Sequence, residues 1–157
     1  MWNRIVDTVQ AEFSDAADVE TITRILTRLL LAALLGGILG YEREHHGKAA
    51  GVRTHMLVAM GAALFMLVPQ QAGTNLADLS RVAQGIITGI GFLGAGAIIK
   101  NSQADDVQGL TTAAGVWMTA AIGVACGLGR EATAMISTLL ALIVLAGVPK
   151  LLGRGHR

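Results

Sequence analysis

The sequence predicts an all-α, polytopic membrane protein with about five transmembrane helices. Hydrophobic residues make up 53% of the 157 residues, whereas charged residues make up only 15%, and soluble domains are closer to ~25% charged. A soluble fold of this size would leave much of its apolar surface facing water, a cost that a bilayer removes. The chain also has 20 glycines and only 2 prolines, a composition that favours close contact between membrane helices.

Residues 1–20 are predicted to be a lead-in, residues 21–150 one five-helix transmembrane domain, and residues 151–157 a basic tail. Within the lead-in, apolar residues recur at helical spacing, which predicts a short amphipathic helix at the membrane interface. A solvated segment is an equal alternative, because the polar face is more acidic than basic. The apolar residues are Trp2, Ile5, Val6, Val9 and Phe13.

Apolar runs supply the five predicted spans, and each is near the ~20 residues that a helix needs to cross the hydrocarbon layer. Asp18 and Thr21 are expected to cap the first span, while Pro69 and Pro149 are expected to end the second and fifth. The distribution of Lys and Arg favours an N-terminus outside the membrane and a cytoplasmic C-terminus. The runs cover residues 22–41, 54–68, 81–99, 110–128 and 131–148.

Glycines in the third run are spaced so that they form one smooth stripe on a helix. Helix packing or self-association is the simpler interpretation, and an unwound helix that exposes carbonyl groups to an ion is the alternative. Two other spans each carry a pair of glycines four residues apart. The glycines concerned are Gly85, Gly89, Gly91, Gly94 and Gly96 in the third run, Gly36 and Gly40 in the first, and Gly123 and Gly127 in the fourth.

Polar residues cluster at the ends of the spans and are the candidates for function. Glu42 and Glu44 could offer oxygen ligands to Mg²⁺, but the nearby basic residues would oppose a bare cation, so ion pairing that joins the first two helices is the alternative. Only weak metal candidates, Glu42 and Asp78, emerge. The full set is Glu42, Arg43, Glu44, Lys48, Arg53, Thr54, Asp78, Arg81, Lys100, Thr111 and Thr112.

The remaining polar and reactive residues have structural explanations. Asp78 could cap the third helix or serve as a functional carboxylate, and Thr111 and Thr112 could hydrogen bond between helices. We expect His45, His46 and His55 to be solvated or interfacial, because their spacing lacks the HExxH form and no cysteine joins them. Cys126 is expected to be a small buried hydrophobe.

Neither catalysis nor nucleic-acid binding is predicted. No nucleophile is accompanied by a positioned base, so we expect no enzymatic activity. Aromatic residues amount to 4% and the formal net charge is +1, which leaves little for base stacking or phosphate contacts.

Motifs follow one another in order over roughly residues 25–130, and together they resemble the MgtC/SapB family of membrane proteins. The matching stretches are 36–44 (GGILGYERE), 48–58 (KAAGVRTHMLV), 78–83 (DLSRVA), 89–96 (GIGFLGAG) and 109–117 (GLTTAAGVW).

The resemblance implies a bacterial inner-membrane protein associated with magnesium limitation, acid tolerance and virulence. It also implies regulation of another membrane complex, the ATP synthase or a cation transporter, through helix contacts. Besides membrane lipid, we expect a second copy of the chain as a partner, and no cofactor other than Mg²⁺ as a candidate. The alternative is an oligomeric Mg²⁺ channel or carrier that uses Glu42, Glu44, Asp78 and the backbone of residues 89–96.

Two departures from the family pattern are visible. Longer members carry a soluble C-terminal domain, and we expect this chain to be the short form because it ends soon after Pro149. Residues 101–108 lack the glycine usual in the family after the third span. We therefore expect the loop there to be shaped differently.

Overall fold

The chain folds mainly into helices joined by short connections. The computed structural model describes residues 1–14, 18–101, 106–151 and 153. The prediction of an all-α membrane helix bundle is confirmed. In chain order the elements are α1 (Trp2–Glu12), α2 (Val19–His45), α3 (Val52–Gln71), α4 (Leu76–Ala97), β1 (Ile99–Asn101), β2 (Asp106–Gln108), α5 (Leu110–Gly127), α6 (Glu131–Leu142), a π-helical segment (Ile143–Gly147) and α7 (Val148–Leu151).

Helices α2, α3 and α5 are long and apolar enough to cross a bilayer, judged by length and composition. Helix α4 has 22 residues and covers most of the third predicted span, but its N-terminal part carries the polar residues Asp78, Ser80, Arg81 and Gln84. Helix α6 and the π-helical segment form the fifth predicted span and are shorter. Membrane crossing by α4 and α6 therefore stays a prediction.

The capping of α2 is as predicted, but the position of Pro69 is not. Asp18 is the N-cap, and its carboxylate accepts a hydrogen bond of 2.7 Å from the Thr21 amide. Pro69 was expected to end the second span, yet α3 continues to Gln71. This expectation was wrong because a proline disturbs only the turn that precedes it, and so near a helix end the last turn still forms.

Pro149 does not end the last helical segment either. The chain continues helically through α7, with Pro149 as its second residue. A π-helical turn precedes it, and the wider turn relieves the contact that a proline ring makes with the preceding carbonyl groups.

A two-stranded antiparallel ribbon between α4 and α5 was not predicted. Strands β1 and β2 pair with Ile99 opposite Gln108 and Asn101 opposite Asp106. Residues 102–105 of the predicted inner loop lie outside the described residues. Gly109, at φ +90°, ends the ribbon, and a side chain there would collide with the Ala97 carbonyl oxygen. This position therefore requires glycine.

The core is built mainly from small residues, and α3 lies at its centre. Helix α3 packs against both α2 and α5. One apolar cluster joins α2, α3, α5 and α6, and it includes Cys126, which is buried as predicted. A second apolar cluster joins α3, α4 and α5 around Ile90 and Val116.

Four of the predicted packing glycines form the tightest of these contacts. A Cβ on Gly36 would lie 2.6 Å from the His55 carbonyl oxygen, and one on Gly40 would lie 2.6 Å from the Cα of Val52. Side chains on Gly123 and Gly127 would collide with backbone carbonyls of α3. At these glycines the backbones of α2 and α5 thus lie directly against that of α3.

The glycines of α4 behave differently. Among the described residues, no atom lies within 4 Å of a Cβ built on Gly85, Gly89, Gly91 or Gly96, and one on Gly94 meets only Ala113. Within the described part of the chain, no other helix packs closely against those four residues. Helix α4 is regular through Ala97, so no unwound, carbonyl-exposing segment forms in it. Self-association stays a prediction.

Candidate functional site

A buried polar cluster, formed by Glu42, Arg43 and His55, lies where α2, α3 and α5 meet. The exposed fractions of these residues are 9%, 3% and 0%, respectively. Ionisable groups inside a membrane domain are costly and usually mark functional positions. We therefore take this cluster as the candidate functional site.

Helical periodicity explains how an apolar helix carries these residues inward. On α2, Leu39 is 1% exposed, and Glu42 and Arg43 follow it by three and four positions on the same face. On α3, His55 precedes Ala59 and Ala63, both 0% exposed, at steps of four. The polar residues thus lie on the faces that also form the core.

Glu42 lies between two basic groups. Its Oε2 atom is 3.2 Å from the Nε atom of Arg43, and its Oε1 atom is 3.1 Å from Nδ1 of His46, whose side chain is half exposed. Neither contact has hydrogen-bond geometry, and His46 Nδ1 bonds instead to the Glu42 carbonyl oxygen at 2.8 Å. The carboxylate thus lies against the guanidinium group of Arg43, and neither of its oxygens has a hydrogen-bond partner among the described residues.

His55 is fixed by one ring nitrogen only. Its Nδ1 atom is 2.9 Å from the carbonyl oxygen of Gly51. Since a carbonyl can only accept, Nδ1 carries the proton and Nε2 of the neutral ring is an acceptor. Nε2 points toward Gly115 of α5, where a Cβ would lie 3.6 Å from it and 3.7 Å from Cδ of Arg43.

Buried side-chain atoms of the cluster lack hydrogen-bond partners among the described residues. They are Oε1 and Oε2 of Glu42, Nε and Nη1 of Arg43, and Nε2 of His55. An unsatisfied buried polar group costs about 1–3 kcal/mol. Groups that stay unpaired at such a cost are characteristic of functional sites.

The other polar candidates around the turn between α2 and α3 are exposed: Glu44, Lys48, Arg53 and Thr54. Glu44 accepts a 2.9 Å hydrogen bond from the Val52 amide and so caps α3. Ion pairing between α2 and α3 was one interpretation, but Glu42 contacts Arg43 and His46 instead, and no ion pair of Arg53 is found among the described residues. His45 and His46 are exposed as predicted, whereas the prediction for His55 was wrong.

Asp78 lies in the first turn of α4, and Asn75 is the cap. The Asn75 side chain accepts from the Asp78 amide at 2.9 Å and donates to the Asp78 carboxylate at 2.8 Å. The expectation that Asp78 caps this helix was wrong, because the helix begins at Leu76, five residues before the apolar run. Arg81 lies 3.9 Å from Asp78 in an exposed pair.

The last polar candidates lie in α5 and in the strand β1 that precedes it. Thr112 is buried at 2% exposure, whereas Thr111 is exposed. Lys100 lies in β1, and its side chain lies outside the described residues. Thr119, which was not predicted, is fully buried and donates to the Gly115 carbonyl oxygen at 2.9 Å.

A second polar contact, at the other end of the bundle, was also missed. Nη1 of Arg28 donates to Oε1 of Gln70 at 2.5 Å and to the carbonyl oxygen of Gly127 at 2.8 Å. Arg28 thereby joins α2 to the last turns of α3 and α5. Gly129, at φ +72°, lies directly against its guanidinium group.

Neither weak metal candidate gains support. Among the described residues, no group of three or more His, Cys, Asp or Glu side chains could hold a metal ion. Glu42 and Asp78 lie near opposite ends of α3, a 20-residue helix of about 30 Å in length. The fold therefore does not bring them together.

Comparison with known proteins places these features in one family. The MgtC family model matches residues 29–154. Protein SrpB of Synechococcus elongatus is 45% identical over 135 residues, which cover 79% of this chain and 74% of SrpB. The "putative magnesium transporter YhiD" of Escherichia coli is 42% identical over 127 residues, covering 76% of this chain and 58% of YhiD.

Protein MgtC of Salmonella typhimurium is 44% identical over 117 residues, which cover 74% of this chain and 49% of MgtC. The chain thus spans about half the length of MgtC and somewhat more of YhiD. No solved structure matches it significantly. On the extent of the family match and the identity to SrpB, this chain belongs to the MgtC family.

Proposed function

We propose that this membrane protein serves magnesium homeostasis in the bacterial inner membrane by regulating another membrane complex, and that it does not carry Mg²⁺ itself. The link to magnesium is supported by the name of YhiD, a relative described as a putative magnesium transporter. Under this proposal the protein acts during adaptation to low magnesium or acid stress. The N-terminus is outside and the C-terminus cytoplasmic.

The observation that carries the choice of regulation over transport is the environment of Glu42. This carboxylate is buried against the guanidinium group of Arg43 at 3.2 Å. A divalent cation that approached Glu42 would meet a positive charge at contact distance. Mg²⁺ prefers several oxygen ligands and retained waters in octahedral geometry, which a single paired carboxylate does not offer.

Helix α4 supports the means of regulation. Its outer face has glycines with no described atom near them, and large apolar residues such as Phe92, 84% exposed. Small residues let a second helix approach closely in a membrane. We propose that this face contacts a further copy of the chain or a helix of the regulated complex, with the ATP synthase or a cation transporter as candidates.

Liposome flux and growth test the proposal together. Purified protein in liposomes loaded with a Mg²⁺-sensitive dye is expected to give no flux above empty liposomes. The same protein is expected to restore growth at low Mg²⁺ to a bacterial host that lacks its own family member. ATP-driven proton pumping in inverted vesicles, with and without the protein, then tests the ATP synthase as the regulated complex.

An oligomeric Mg²⁺ channel or carrier is the second candidate, and the name of YhiD favours it. It predicts a strong flux that is lost in Glu42→Gln or Asp78→Asn. Glu20→Gln is the matched control, because Glu20 is an exposed carboxylate in the first turn of α2. Flux with that dependence would overturn regulation without transport.

A further inference from the structure

We propose that the buried polar cluster of Glu42, Arg43 and His55 binds ordered water, which joins Arg43 to His55 inside the bundle. This site does not depend on the proposed function. The ligand follows from the chemistry of the unpartnered atoms. Arg43 Nη1 can only donate a hydrogen bond, whereas His55 Nε2 and the Glu42 oxygens can only accept one.

A mixture of donors and acceptors selects a ligand that does both. A small anion would meet the lone pair of His55 Nε2 and the carboxylate of Glu42. A cation would meet the guanidinium group of Arg43. Water satisfies both kinds of atom, and buried waters typically make 2–4 hydrogen bonds to groups of this kind.

Backbone borders the side of the cluster that faces α5. Apart from the backbone of α5 itself, only Nε2 of His55 at 3.6 Å and Cδ of Arg43 at 3.7 Å lie within 4 Å of a Cβ on Gly115. A glycine here leaves room of about a methyl group beside both side chains. The site therefore has polar atoms on one side and no side chain on the other.

The cluster also has a polar connection to the surface. His46 is half exposed and lies 3.1 Å from Oε1 of Glu42, whose other oxygen lies 3.2 Å from Arg43. Polar side chains therefore follow one another from the exposed His46 to the buried Arg43. We infer that water exchanges with the cluster from this end of α2.

Water-edited solid-state NMR of the protein in lipid bilayers tests the site. The measurement follows the transfer of magnetisation from water to individual side chains. His46 is the reference for a side chain in contact with water. Thr138 is the reference for one without such contact, because it is buried at 3% exposure and its hydroxyl donates to the Ala134 carbonyl oxygen at 2.8 Å. We expect the His55 signal to grow as fast as that of His46. Growth as slow as that of Thr138 would overturn the proposal.

The variant Gly115→Ala tests whether the water lies beside Gly115. The added methyl group fits without a clash, so the helices are expected to keep their chemical shifts. We expect His55 to lose its water signal while His46 keeps it. An unchanged His55 signal in this variant would refute a water beside Gly115.

A second variant removes the two charges and the guanidinium donors of Arg43 but leaves Gly115 unchanged. Glu42→Gln with Arg43→Met leaves no unpaired charge in the cluster, which protects folding. Loss of water transfer to His55 is again expected, and His55 that stays as wet as His46 would contradict the assignment of Arg43 as the donor.

Discussion

Helix α5 and helix α4 both carry glycines four residues apart, yet among the described residues only those of α5 lie against another helix of the chain. A Cβ on Gly123 would lie 2.9 Å from the Cα of Ala59, so the two backbones touch. A Cβ on Gly89 would meet nothing within 4 Å among the described residues. The same spacing thus holds one helix in place and leaves another with an open face.

The difference shows how much a pair of glycines four residues apart can predict. Such a pair makes one face of a helix smooth, but a second helix packs there only if the fold brings one to that face. Helix α3 supplies that neighbour to both α2 and α5, because Ala59 and Ala63 are small enough to let them approach. These three helices, α2, α3 and α5, form a tightly packed unit, and α4 lies against it mainly through α5.

The largest expected effect tests this contrast directly. Gly123→Ala is expected to lower the free energy of unfolding by about 3 kcal/mol, because α5 must move away from the backbone of α3. Unfolding in mixed micelles with increasing denaturing detergent measures the change. Wild-type stability in Gly123→Ala would contradict the backbone contact.

A substitution of Arg28 tests whether a polar contact also stabilises the unit of α2, α3 and α5. Arg28→Met is expected to cost about 2 kcal/mol, because the hydrogen bonds of a charged donor to Gln70 and Gly127 are lost. Arg24→Met is the matched control, since Arg24 is an exposed arginine one turn earlier on α2. Equal stability of the two variants would show that Arg28 contributes no more than its neighbour.

A smaller effect of opposite sign is expected on α4. Gly89→Ala is expected to stabilise the chain by about 0.5–1 kcal/mol, because the new side chain meets no atom and alanine favours a helix over glycine. The same detergent titration measures it. A loss of stability that grows with protein concentration would instead reveal contact between copies of α4.

The smallest effect concerns the start of α2. The hydrogen bond from the Thr21 amide lowers the pKa of the Asp18 carboxyl below its ordinary value. The ionised carboxyl therefore stabilises the folded state at pH values above its pKa in the unfolded chain, and this stabilisation is lost as the pH falls through its pKa in the folded chain. Hydrogen exchange at the Thr21 amide is therefore expected to lose protection on acidification. In Asp18→Asn, a cap that does not titrate, protection should not follow pH in this way.

Apolar runs predicted most of the fold, because hydrophobicity over some twenty residues is a local property. The positions of α2, α5 and α6 follow it closely. The ends of α3 and α4 do not, since Pro69 acts only on the preceding turn and the Asn75 cap precedes the apolar residues. Short strands such as β1 give no comparable signal.

The candidate site was predicted in part. Glu42 and Arg43 were named, but their pairing with each other was not, because the side chains of adjacent helical residues seldom face each other. His55 was expected to be exposed, although Ala59 and Ala63 at steps of four mark its face as buried. Arg28 could not be placed from sequence, since its partners lie 42 and 99 residues away.

Burial of Glu42 and Arg43 also bears on how the protein enters the membrane. Helix α2 emerges from the ribosome before α3 and α5, and its Glu42 and Arg43 are buried where these three helices meet. Until α5 has been made, the end of α2 would expose a charged pair to lipid, at considerable cost. We therefore expect the end of α2 to reach its final environment only when α5 arrives, an order that would couple membrane integration to folding.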